Sequence, residues 1–186
     1  NLSGANLSGA KLSGAKLSGA LITEANLNGA DLSGAILSGV HLKRSALSAA
    51  NLTPTNLLGA TLDGANLVGA DLSNANLAGA TFKDAVIAGA LMPAADLSGA
   101  NFTLTNAGGA SLLGAKLDGA HFYGARLSGA DMREASLVET RLDIFSVSGI
   151  YFPSRLDGAD LHQAQLGSSY LAGSTLSGTD LSSAEF

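Results

Sequence analysis

A five-residue period runs through this chain from end to end. It is plain in Ala5-Asn6-Leu7-Ser8-Gly9, Ala30-Asp31-Leu32-Ser33-Gly34, Ala70-Asp71-Leu72-Ser73-Asn74 and Ala95-Asp96-Leu97-Ser98-Gly99. With the leucine taken as the centre, 31 centres recur at every fifth residue from Leu2 to Phe152, and seven more from Leu156 to Phe186. These 38 repeats leave no room for a second domain, so residues 1–186 read as one unit. A period of five matches neither the 3.6 residues of an α-helical turn nor the alternation of a long strand, so the chain must turn at every repeat. The glycines agree: 22 of 24 fall two residues after a centre, where a tight turn needs positive φ or room for close backbone approach.

Composition narrows what such a repeat can build. With 46% hydrophobic residues the chain can bury a continuous core. Leucine and alanine dominate and aromatics make up only 5%, so that core is narrow and uniform. Apolar runs are broken every few residues by Ser, Asn, Asp or Gly, which leaves no membrane-spanning helix of about 20 residues. No membrane insertion is expected. The absence of cysteine removes disulfides and thiolate metal sites and says nothing of compartment. The chain opens on Asn1 with neither a basic segment nor an apolar signal core, so localisation is not readable. A formal charge of −5 argues against direct nucleic-acid binding, which needs a clustered basic surface.

The repeats resemble the pentapeptide-repeat family, whose A(D/N)LXX consensus they match over essentially the full length. The resemblance implies an all-β fold, a right-handed quadrilateral parallel β-helix with four repeats per coil. The centre and the alanine two residues before it would point inward and the other three positions outward. About nine and a half coils at about 4.8 Å each give a rod about 45 Å long. Phe82, Phe102 and Phe122 lie 20 residues apart and are expected to stack in the core. Met92, Leu112 and Met132 form a second such column.

Three places break the pattern. In Lys43-Arg44-Ser45 to Thr53-Pro54-Thr55, inward Ala becomes Ser45 and Thr55, and Lys43 and Arg44 add adjacent cations outside. At Thr105 to Gly109, Ala107 occupies a centre. The largest break spans residues 140–156. There Phe145 and Ile150 stand where inward alanines belong, Val147 is a smaller centre, and Phe152 is followed by Leu156 after four residues instead of five. The expectation is one missing residue, with Phe145, Ile150 and Phe152 kept in the core and a corner bulged near Pro153 with Tyr151 outside.

Apparent catalytic and metal motifs reduce to the period. Gly9 to Gly14 followed by Lys16 lacks the ending of a phosphate loop, and no helix follows. His41, His121 and His162 map to one outer face in this frame. His41 and His121 are about 19 Å apart, too far to share a zinc ion. No catalytic residue, cofactor site or metal site is expected. Outward aspartates remain, with Asp31, Asp71 and Asp131 on one face and Asp160 and Asp180 on another, interrupted by Lys11, Lys83 and Arg133.

The expected role is a non-catalytic structural or protein-interaction module that presents rigid faces to a protein partner. Asp31, Asp71, Asp131, Asp160, Asp180, Lys43, Arg44, Tyr151 and Pro153 are its candidate contacts. The resemblance implies one alternative, an acidic rod that mimics DNA and inhibits or protects gyrase in quinolone resistance. A spacer or docking domain of a larger secreted or targeted effector is another. The chain starts in mid-repeat and stops at the centre Phe186, so it is expected to be cut from a longer protein, with an end-to-end dimer as the other option.

Overall fold

The computed structural model describes residues 1–143, 145–147 and 150–186. One repeat explains most of it. In Leu27-Asn28-Gly29-Ala30 the amide of Ala30 donates to the Leu27 carbonyl at 3.0 Å, closing a β-turn whose third residue, Gly29, sits at φ 63°. That is the type II requirement, and it places glycine at this point of the period. The preceding Asn26 accepts the Asn28 amide on its Oδ1 at 3.1 Å. Asp31 does the same for Ser33 at 3.0 Å and Asp96 for Ser98 at 3.1 Å. Asn and Asp therefore precede each centre because their side chains brace the turn that follows.

Each turn delivers the chain to a rung of a parallel ladder. Asn26 donates to the Ala5 carbonyl at 2.9 Å and accepts from Leu7 at 2.7 Å, pairing with Asn6 twenty residues earlier. The same spacing joins Asn6 to Asn26, Lys11 to Asp31, Lys16 to Ile36 and Leu21 to His41, and continues up the molecule, so four repeats complete one circuit of a β-helix. Because the backbone turns after each rung, these contacts are isolated bridges instead of long strands.

The core is built from the centres and the alanines before them. Leu27, Ala30, Leu32 and Ala35 are buried, as is nearly every equivalent up to Leu166. Phe82 stacks on Phe102 at 4.8 Å and Phe102 on Phe122 at 4.6 Å, with rings within 5° of parallel. This is the rung spacing itself, so equal side chains on successive coils meet face to face. Ala107 is fully buried at its centre.

Inward hydroxyls are satisfied by carbonyls of the adjacent coil or of their own turn. Ser45 Oγ donates to the Ile22 carbonyl at 2.5 Å, Thr105 to Phe82 at 2.6 Å and Thr140 to Leu117 at 2.9 Å. Thr55 donates to its own turn at Leu52, 2.7 Å away.

Residues 140–156 differ from the sequence expectation. No single residue is missing; an extra segment leaves the helix. Arg126 pairs with Arg155, Asp131 with Asp160, Ser136 with Gln165 and Arg141 with Tyr170, each 29 residues apart, and Arg155 with Thr175 returns to 20. The nine additional residues carry an antiparallel hairpin of β1 (Phe145–Val147) and β2 (Ile150–Phe152), with Ser146 opposite Tyr151.

Ser154 then takes the inward alanine position, its hydroxyl 2.5 Å from the Phe122 carbonyl and 3.1 Å from that of Asp143. Ile150, at 61% exposure, and Phe152, at 37%, are consequently not core residues, because they sit on the excursion and not on a rung. The expected core placement of Phe145 and the smaller centre at Val147 concern side chains outside those described.

Candidate interaction surface

The ladders hold outward side chains at fixed spacing, and one of them gathers acid. Lys11, Asp31, Asn51, Asp71, Leu91, Ser111, Asp131, Asp160 and Asp180 are consecutive rungs. Asp160 and Asp180 therefore share the face of Asp31, Asp71 and Asp131. The expectation of a separate face is overturned by the nine-residue segment, which shifts every later residue around the helix.

Arg133 clamps this stripe. Its Nε and Nη2 each lie 2.8 Å from an Asp131 carboxylate oxygen, and its Nε lies 3.5 Å from Asp160 Oδ2. The Arg133 side chain, then burial in opposition, and the Arg133 amide set the Asp131 carboxyl, which falls below its usual range. Asp31 is held low first by the Ser33 amide, and Asp180 by the Ser182 side chain and amide.

His162 follows the centre Leu161 and contacts Ser182 Oγ through Nδ1 at 2.8 Å, whereas His41 and His121 lie on the Leu21 ladder. The three histidines thus do not share a position, and no group of metal-ligating residues occurs among the described residues. No helix is long and apolar enough to cross a membrane among them either.

Lys43 and Arg44 lie at a corner beside Asp63, Lys83 and Asp84. Arg44 pairs with Glu24 at 3.3 Å, both well exposed. The same corner column continues through Leu104 to Gly124, where the hairpin folds down. A Cβ on Gly124 would stand 2.9 Å from Leu104 Cδ2 and 3.0 Å from Phe152 Cβ.

Between hairpin and helix lies a groove of about 470 Å³ lined by Asp84, Leu104, Asn106, Gly124, Arg126, Phe152, Pro153 and Arg155. Ile150 and Tyr151, on the same strand as Phe152, are 61% and 68% exposed. On a neighbouring ladder Arg141 donates to Asp143 at 2.8 Å and lies 4.5 Å from the Tyr170 ring centroid and 5.4 Å from that of Tyr123.

Sequence reasoning named Tyr151 and Pro153 but missed Arg126 and Arg155. Their signal was present: a four-residue step between centres fits an insertion of nine as well as a deletion of one, since both shift a five-residue frame equally.

Eight copies of the profile for pentapeptide repeats match residues 1–39, 41–79, 95–134 and 154–186. The chain belongs to the pentapeptide-repeat family. The last two matches of this pentapeptide-repeat protein flank the hairpin, which falls between them.

Among solved structures it is similar to HetL, a pentapeptide repeat protein involved in heterocyst differentiation regulation from the cyanobacterium Nostoc sp. strain PCC 7120. The identity is 29% over 97% of this chain and 86% of HetL, with a TM-score of 0.61. It is similar over shorter reach to Rfr23 from the cyanobacterium Cyanothece 51142, at 38% identity over 54% of this chain and 58% of Rfr23, TM-score 0.33. QnrB1, a plasmid-mediated fluoroquinolone resistance protein, matches at 21% identity over 91% of this chain and 86% of QnrB1, TM-score 0.42. Among curated proteins none matches the pentapeptide-repeat chain.

Proposed function

We propose that this chain is a non-catalytic interaction module whose ladders present side chains to a protein partner. In this reading it is a right-handed, four-sided rod. The 29 centres up to Leu142 and the seven from Leu156 make nine coils, about 43 Å in length. The observation that carries the reading is the aspartate ladder. Its side chains are tied to backbone rungs and turn amides, so a partner meets them already ordered and little side-chain freedom is lost on binding. The interior supports it too, because alanine, leucine and phenylalanine fill the space where a substrate would otherwise enter. HetL, involved in heterocyst differentiation regulation, makes a regulatory contact of this kind a reasonable role.

The test is capture of a partner from an extract of the source organism by the immobilised chain, repeated with substitutions on each ladder. One specific partner lost by substitutions on one face supports the reading. Turnover of a substrate by the purified chain, or no partner from any face, sinks it.

Five aspartates on a single face favour DNA mimicry as a second reading, since anionic groups along a rod resemble a phosphate backbone. Gyrase supercoiling assayed with and without a quinolone decides it. Inhibition or protection that falls when Asp31, Asp71 and Asp131 become Asn supports mimicry, and no effect removes it.

A further inference from the structure

The aspartate face is the obvious surface, yet the molecule also carries a pair of cations beside exposed apolar residues of the hairpin. Arg126 and Arg155 occupy consecutive rungs of one ladder, about 4.8 Å apart along the rod. Arg155 is held loosely by Asp157, at 3.3 Å from Nε and 3.4 Å from Nη2. Asp157 is itself engaged by the Thr175 hydroxyl at 2.9 Å and the Ser177 amide at 3.1 Å. Arg126 has no ion-pair partner among the described residues. Both line the groove whose apolar wall is Leu104 and Phe152, and the strand that carries Phe152 also exposes Ile150 and Tyr151.

We propose that this groove binds an acidic segment of a protein partner, with Arg126 and Arg155 receiving its carboxylates and the hairpin holding an apolar side chain of the same segment. The proposal deepens the interaction-module reading and rests on it. Two guanidiniums at rung spacing match carboxylates on an extended chain, where residues on one side recur at about 6.6 Å and long side chains bridge the difference. Arginine beside a partly apolar recess is among the residues that concentrate binding energy in protein interfaces. Two arginines on a chain of net charge −5 fall far short of the basic stripe nucleic acid needs. Asp84, one coil before Leu104 in the same column, gives the groove a direction, repelling acid and accepting an N–H or a lysine at that end.

The probe is a displayed library of random peptides, panned against the full chain. Enrichment of sequences that combine Asp or Glu with a large apolar residue is expected. A synthetic copy of the enriched peptide should lose affinity at least about tenfold when Arg126 and Arg155 become Glu, and likewise for Leu104→Ser. It should bind more weakly as ionic strength rises and be unaffected by Asp71→Asn. Circular dichroism checks the fold of each variant, and Arg126→Gln replaces the double reversal if that variant does not fold. Basic peptides, acidic peptides insensitive to these substitutions, or displacement by inorganic phosphate or an oligonucleotide overturn the proposal while leaving an interaction module in place. A library that yields nothing overturns it, and if extract capture also fails, the module reading falls with it.

Discussion

Arg126 pairs in parallel with Arg155 across 29 residues, where Asn106 pairs with Arg126 across 20. That single rung shows that the helix closes beneath the hairpin as if the hairpin were absent. Leu142 and Leu156 are successive centres, and Ser154 completes the repeat between them by donating to the Phe122 carbonyl.

Removal of residues 145–153 should accordingly leave a continuous β-helix. The join becomes Leu142-Asp143-Ile144-Ser154-Arg155-Leu156, a normal five-residue step. Ile144 then falls at the turn residue that needs positive φ and should be replaced by Gly in the same variant. The expected melting temperature lies within a few degrees of the parent, about 1 kcal/mol or less. Inserting one residue between Phe152 and Leu156, which restores the period on paper, should lower it. The opposite order of stabilities would sink the insertion account.

Gly124 should tolerate a side chain less well than Gly119. Both have positive φ, but a Cβ on Gly119 meets nothing within 4 Å, while one on Gly124 collides with Leu104 and Phe152. Gly119→Ala is expected to cost about 1–2 kcal/mol from the backbone alone. Gly124→Ala should cost more and lift the hairpin, seen as faster proteolysis near Tyr151. Equal losses and equal proteolysis would show that the hairpin does not rest on this corner.

The ring stack should make Phe102 the most sensitive of the three phenylalanines, since it has a ring on either side. Phe102→Ala is expected to lose about 3–5 kcal/mol in chemical unfolding, and Phe102→Leu much less, because leucine is what the other coils use. A Phe102→Ala loss below about 1 kcal/mol would contradict the packing.

Acid should weaken the aspartate face in a defined direction. Asp31, Asp131 and Asp180 are held below the ordinary value of 3.8 in the folded chain, so their contribution is complete above that value and is lost as pH falls through the depressed folded values. Melting temperature should therefore stay level from neutrality to about pH 4 in these terms and fall below it. Asp131→Asn should flatten that acid limb. Carboxyl resonances titrating above 3.8 would refute the assignment.

The repeat was fully legible in the sequence because each of its features answers a local need. Glycine marks the turn, Asn or Asp braces it, and the apolar centre enters the core. Phe82, Phe102 and Phe122 could be placed on one column by counting twenties. Ile150 and Phe152 could not, because an apolar residue every fifth position looks the same on a rung and on an excursion.

What the sequence by itself determined is therefore the repeating unit, its inward and outward sides and the family it builds. The tertiary structure alone decided where Asp160, Asp180, Arg126 and Arg155 lie relative to the rest. Rungs pair across a whole circuit, and the length of each circuit is chosen by which backbone amide finds which carbonyl. A frame shift of minus one and of plus nine are identical in the five-residue pattern, and only the hydrogen bonds between coils distinguish them.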